Sequence, residues 1–294
     1  MSRPGVFRIA TRTAFALQRR SLHRVPPLRH DFSEGVPGLF SAPGFDIAWT
    51  QNQSLMIEKL NSVASGKSFE SKTPKDILLM AAREPALAAA FNYASMAHNN
   101  AFFFNGLSPV QTEIPSELRA CLERDFSSIE TLRTEMVTIA SVMFGPGFLW
   151  LCKTREGKFT LLTTYLAGSP YPGAHFRRQA VDMNTQNDGT VAGQLRSDIL
   201  NSEPVNTAGA FGNHATKKPK MAPGGIDLLP VLCVNLWEHV YLPDYGLGAN
   251  FTEDGRRIGG KKAFVESWWQ TIDWNVVAAL AELRPKGPQN KFTT

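Results

Sequence analysis

Few residues of this 294-residue chain are placed to do chemistry. Glu238 stands directly before His239, a carboxylate beside an imidazole, and such a pair keeps its value in charge-assisted hydrogen bonding with or without a metal. Cys121, Cys152 and Cys233 show no CxxC spacing, so they form neither a disulfide framework nor a zinc cage, and they suit a reducing compartment. Basic residues cluster at Arg177, Arg178, Arg196, Lys217, Lys218 and Lys220, and again at Arg256, Arg257, Lys261 and Lys262. On Gly- and Pro-rich backbone these are candidates for RNA phosphate contact. The competing reading is a solvated loop, since residues 169–225 hold six basic against four acidic side chains. Trp237, Trp268, Trp269 and Trp274 have apolar neighbours and are expected in the core rather than on a stacking platform.

The elements that position these residues change character near the middle of the chain. Residues 31–45, punctuated by Gly and Pro, read as an extended lead-in. Residues 46–63 read as a helix with Ile47, Leu55, Ile57 and Leu60 among its apolar positions. Thr73, Pro74 and Asp76 spell a helix start: N-cap, first helical position and an early acid. Further helices are expected over 76–82, from Pro85 to about Phe104, from Ser116, and over 128–144, where Gly145, Pro146 and Gly147 stop the chain. Residues 148–154 and 158–166 then form a predicted hairpin, 229–235 a third strand, and 262–271 with 274–283 two closing helices. Residues 169–225 make an aperiodic insert of a length that is normally functional or disordered in a compact domain. The fold class is α+β: a helical N-terminal half built on a helical hairpin, and an α/β C-terminal half with a small three-stranded antiparallel sheet. The expected divisions are 1–30, 31–145 and 146–294.

The chain is 43% hydrophobic and 10% aromatic, which excludes global disorder. Its apolar runs, such as 86–91 and 276–280, are far shorter than the roughly 20 residues of a membrane span, so none is expected. The net charge of +5 is concentrated in residues 1–30, which hold seven arginines and no acid. The remaining 24 basic residues face 26 acidic ones, so the body carries −2. An Arg-rich, acid-free stretch with Ser, Thr, Phe, Leu and Ala has the composition of a mitochondrial presequence, and Arg19-Arg20 before Ser21 offers a processing point. The alternative is a basic arm that stays attached.

Three segments carry a resemblance to the iron/manganese superoxide dismutases. Phe91-Asn92-Tyr93-Ala94 with His98 to Phe104 and Leu107-Ser108-Pro109 resembles the second-helix motif, Val234 to Tyr241 the Asp-x-Trp-Glu-His-x-Tyr signature, and Ile272 to Val276 the C-terminal helix motif. Gly145 to Leu151 parallels the first strand. The family holds its metal with three histidines and one aspartate. Those positions fall here on Ala48, Asn100, Asn235 and His239, so the resemblance implies that one ligand of four is kept. A redox metal needs imidazole donors and a compensating anion, and two neutral amides and an alanine supply neither. The family's gating tyrosine aligns with Met56, and a further histidine behind the ligands aligns with Asn52. The implied chain has the fold without the reaction: no catalytic residue, no metal, no cofactor.

A presequence, a stripped ligand set and a long insert together resemble the dismutase-like proteins of the fungal mitochondrial small ribosomal subunit, which occur as a related pair. The resemblance implies a mitochondrial matrix location and a structural role in the ribosome. The implied partners are other small-subunit ribosomal proteins, a related dismutase-like chain joined in a dimer through Glu238 and His239, and some rRNA. A free matrix scaffold or ribosome assembly factor is the second reading, and an active dismutase the third.

Overall fold

The computed structural model describes residues 23–82, 84–171, 227–251 and 257–282. The lead-in contributes more than an approach. A bridge between Val36 and Phe40 closes it on itself, and Phe32, Val36, Leu39, Phe40 and Phe45 are buried. Phe40 makes ring contacts with Phe103, Phe104 and Phe264, which ties the start of the body to both halves. Helix α1 (Ala42–Phe45) is capped by Ser41, whose hydroxyl accepts from Gly44 N. It passes into a π-helical segment (Asp46–Gln51) and then α2 (Asn52–Ala64). The predicted helix over 46–63 therefore starts earlier and opens with a π turn. Ile47 and Leu55 are exposed, and the buried stripe is Ala48, Gln53, Ile57, Leu60 and Ala64.

Helix α3 (Pro74–Ala81) begins as its sequence dictates: Thr73 Oγ1 accepts from Asp76 N and donates to Asp76 Oδ2. After a 3-10 turn (Pro85–Leu87), α4 (Ala88–Asn105) runs through the molecule. It packs on α2, α3 and the third strand and buries Ala90, Phe91, Ala94, Ser95, Met96, Ala97, Asn99, Asn100, Phe103 and Phe104. A helix apolar on nearly every side is one enclosed by neighbours on every side. Helices α5 (Ser116–Phe126) and α6 (Ile129–Val142) follow, the second capped by Ser128.

Strands β1 (Gly147–Thr154), β2 (Phe159–Tyr165) and β3 (Leu228–Asn235) form one antiparallel sheet in the order β2-β1-β3. Only glycine can occupy position 147, where a Cβ would strike the Thr164 carbonyl oxygen. The register pairs Phe148 with Asn235 at the end of β3. Helix α7 (Glu238–Tyr245) was not legible in the sequence, because Pro243 interrupts it and it has no apolar period. Nor was the short pairing of β4 (Asn250–Phe251) with β5 (Arg257–Ile258). Helices α8 (Gly260–Gln270) and α9 (Trp274–Leu280) close the chain, with the Asp273 carboxylate accepting from Asn275 N and Val276 N.

One large hydrophobic cluster draws on both halves, from Phe32 to Ala281, and a smaller one lies among α2, α3, α4 and Tyr171. Two boundaries differ from the sequence expectation. Residues 23–30, assigned to the leader, lie on the body. There His23 is buried, its ring nitrogens lie 2.7 Å from Asn61 Oδ1 and 2.8 Å from the Lys72 carbonyl oxygen, and Asn61 Nδ2 donates to the His23 carbonyl at 2.9 Å. Ser169, Pro170 and Tyr171, assigned to the insert, are also buried. Tyr171 meets His98 Nε2 at 2.8 Å and lies under the Lys75 ammonium at 4.5 Å. The rest of the insert and residues 1–22 lie outside the described residues.

Candidate functional site: a hollow closed by amides

Asn235 is carried to the centre by the end of β3, Asn100 by the middle of α4, Gln53 by the first turn of α2 and Ala48 by the π segment. All four are buried. Their hydrogen bonds form one chain. Trp237 N donates to Asn235 Oδ1 at 3.0 Å, Asn235 Nδ2 to Asn100 Oδ1 at 3.1 Å, and Asn100 Nδ2 to Gln53 Oε1 at 3.1 Å and to the Ala48 carbonyl at 3.3 Å. Gln53 Nε2 then donates to the Ala97 carbonyl at 2.9 Å. Every amide in the line both gives and receives, which is how polar groups survive in an apolar interior.

Gln53 was missed in the sequence. Its signal is positional: a polar residue on the buried stripe it shares with Ile57, Leu60 and Ala64, where an amide needs a partner. Asn52 is half-buried with Nδ2 unpartnered among the described residues, and Met56 is half-buried against the main cluster.

His239 lies in the first turn of α7, half-buried, its ring centroid 5.8 Å from that of Trp237. Its Nε2 is buried with no hydrogen-bond partner among the described residues. Burial lowers its pKa below the ordinary imidazole value and the Glu238 charge opposes that shift. Beside the pair, Lys261 Nζ donates to the Met143 carbonyl at 2.7 Å, and burial lowers its pKa while Glu238 raises it. Leu236 N donates to the Gly147 carbonyl at 2.9 Å, so residues 143–147 run alongside the Glu238–His239 turn. Phe144 on that segment is 92% exposed, and Val142, Tyr165 and Leu166 are exposed with it.

Of the residues proposed for RNA contact, Lys261 is half-buried and its ammonium donates to the Met143 carbonyl. Lys262 lies 3.9 Å from Glu266 on an exposed helix face. Arg177, Arg178, Arg196, Lys217, Lys218, Lys220 and Arg256 lie outside the described residues, as does the side chain of Arg257. Trp268, Trp269 and Trp274 are buried as expected, whereas Trp237 is half-buried.

A family model described as iron/manganese superoxide dismutases, C-terminal domain, matches residues 114–181 and 205–280. A Schizosaccharomyces pombe protein, small ribosomal subunit protein mS42, is 31% identical over 213 residues, covering 70% of this chain and 72% of that one. The chain belongs to the iron/manganese superoxide dismutase-like family. Small ribosomal subunit protein mS43 of the same yeast is 27% identical over 264 residues, 87% of this chain and 82% of its own. An iron superoxide dismutase of Helicobacter pylori is 23% identical over 256 residues, 87% and 88% of the two chains.

Against the dismutase-like family's three imidazoles and one carboxylate, the side chains here do not fit a redox metal. Ala48 has no donor atom. The side-chain oxygens of Asn100 and Asn235 already accept hydrogen bonds, and neither carries the charge that would balance a cation. Among the described residues no group of three or more His, Cys, Asp or Glu side chains is close enough to hold an ion.

Proposed function

We propose that this dismutase-like protein is a structural component of the mitochondrial small ribosomal subunit, located in the matrix, and that it has no dismutase activity. The observation that carries the reading is the closed amide line Asn235–Asn100–Gln53 in a chain whose relatives include small ribosomal subunit proteins. It supports a role in which the fold is kept for its surfaces. Residues 1–22 serve as the presequence, and processing falls before His23, since removal of that residue would release a segment held by Asn61 and Lys72.

The face used for pairing combines Glu238, His239 and the segment around Phe144. Phe144, nearly fully exposed, and Val142 beside it offer apolar surface to a partner next to the Glu238–His239 turn, where His239 Nε2 has no hydrogen-bond partner among the described residues. That surface belongs to a related dismutase-like chain. Counted from His23 the body holds 26 basic and 26 acidic residues and carries no net charge, so protein neighbours supply the larger part of the contacts and rRNA the smaller.

Gradient sedimentation of mitochondrial lysate tests the reading. The chain should travel with the small subunit. Confinement to a soluble pool would refute it, and presence only in precursor particles would make the protein an assembly factor. Phe144→Asp should release the chain from its dismutase-like partner while leaving its own melting temperature within a few degrees.

A further inference from the structure

A cavity of about 470 Å³ is bounded by the N-terminal segment, α2, the start of α3, α4, β3 and α9. Its size is that of a small-molecule site, which is typically about 300–1,000 Å³. Apart from Gln53 it lies outside the amide line. Its aliphatic lining is Ile57, Val231, Leu232, Val276 and the exposed Leu280, beside Phe102. Arg24, Arg29 and Lys75 also line it, all solvent-exposed, and no carboxylate does among the described residues. Arg24 is fixed there because His23, next to it, is locked to Asn61 and to the Lys72 carbonyl.

Several of the polar groups on the walls are already engaged, and the rest of the lining is mostly apolar. Gln53 bonds Asn100 and Ala97, Thr73 bonds Asp76, Asn105 Nδ2 donates to the Ala101 carbonyl, and His98 Nε2 meets Tyr171. A nucleobase seated here would leave most of its donors and acceptors unpaired, at a cost in every such group. The buried part of a ligand must therefore be apolar, and its exposed end must be anionic to answer three cations. We infer that this cavity binds a medium-chain fatty acid, the acyl chain against the aliphatic lining and the carboxylate at Arg24, Arg29 and Lys75.

Calorimetric titration and thermal shift of the purified full chain with decanoate and laurate, both below their micelle concentrations, test the inference. Adenosine monophosphate and inorganic phosphate serve as the competing anions. Laurate should bind about fifteenfold more tightly than decanoate, the effect of two methylenes at ~0.8 kcal/mol each. The variant Arg24→Glu/Arg29→Glu/Lys75→Glu should keep the ligand-free melting temperature and weaken laurate at least tenfold. Absence of laurate binding, equal binding by the charge-reversed variant, or displacement of laurate by adenosine monophosphate or phosphate would each overturn it.

Discussion

At Asn100 two bonds between buried side chains depend on one residue: its oxygen receives from Asn235 and its nitrogen gives to Gln53. Asn100→Ala strands both partners away from water, and at ~1–3 kcal/mol for each unpaired group the loss should be about 3 kcal/mol, read as a lower urea midpoint. His98 tests the interior differently. Burial, reinforced by the Lys75 charge, holds its pKa at about 4, below the ordinary 6.5. The unfolded chain therefore takes up this proton as pH falls through 6.5, while the folded chain resists until about 4. Stability is complete above that window and drains as pH falls through it, by about 2 kcal/mol at pH 5. His239, shifted in the same direction, adds to the slope. Urea unfolding at pH 7 and pH 5 should show the loss, and His98→Gln should remove most of it. That Asn100 and Asn235 meet in the interior was legible because the motifs flanking them place their segments together. The fate of Lys261 was not, because a run of basic residues says nothing about which carbonyl lies above it in the fold.

Among the elements, capping was the most readable feature, since its chemistry is complete within four residues. Thr73 and Ser128 each accept from the backbone N–H three residues on. Thr73→Ala should cost about 1 kcal/mol, and a urea midpoint that falls at unchanged slope would register it. The strands and the antiparallel hairpin were equally plain from β-rich runs around Arg155, Glu156 and Gly157. The π segment was not, because widening of a helix is imposed by what packs on it, here Trp49 against Phe104 and Asn100 against the Ala48 carbonyl. Helix α7 escaped for the opposite reason, as Pro243 and mixed polarity conceal a helix that tertiary contacts hold.

For the molecule as a whole, composition located the charge in residues 1–30 but not where packing on the body begins. That boundary is set by contacts spanning nearly forty positions, between His23 and Asn61. A chain starting at His23 should melt as the longer one does, whereas one starting at Asp31 should melt several degrees lower and lose its binding of laurate. Thermal denaturation of the two truncations decides this, and mass spectrometry of the protein from mitochondria should find a mature terminus no later than His23.

The amide line also has a bearing on descent. Restoring histidine at position 100 alone would orphan Asn235 and Gln53, and restoring aspartate at 235 alone would bury an uncompensated negative charge. Each single change gives a less stable protein. The interior thus acts as a ratchet: with the amides closed on one another, metal-binding side chains could enter it only by several changes at once.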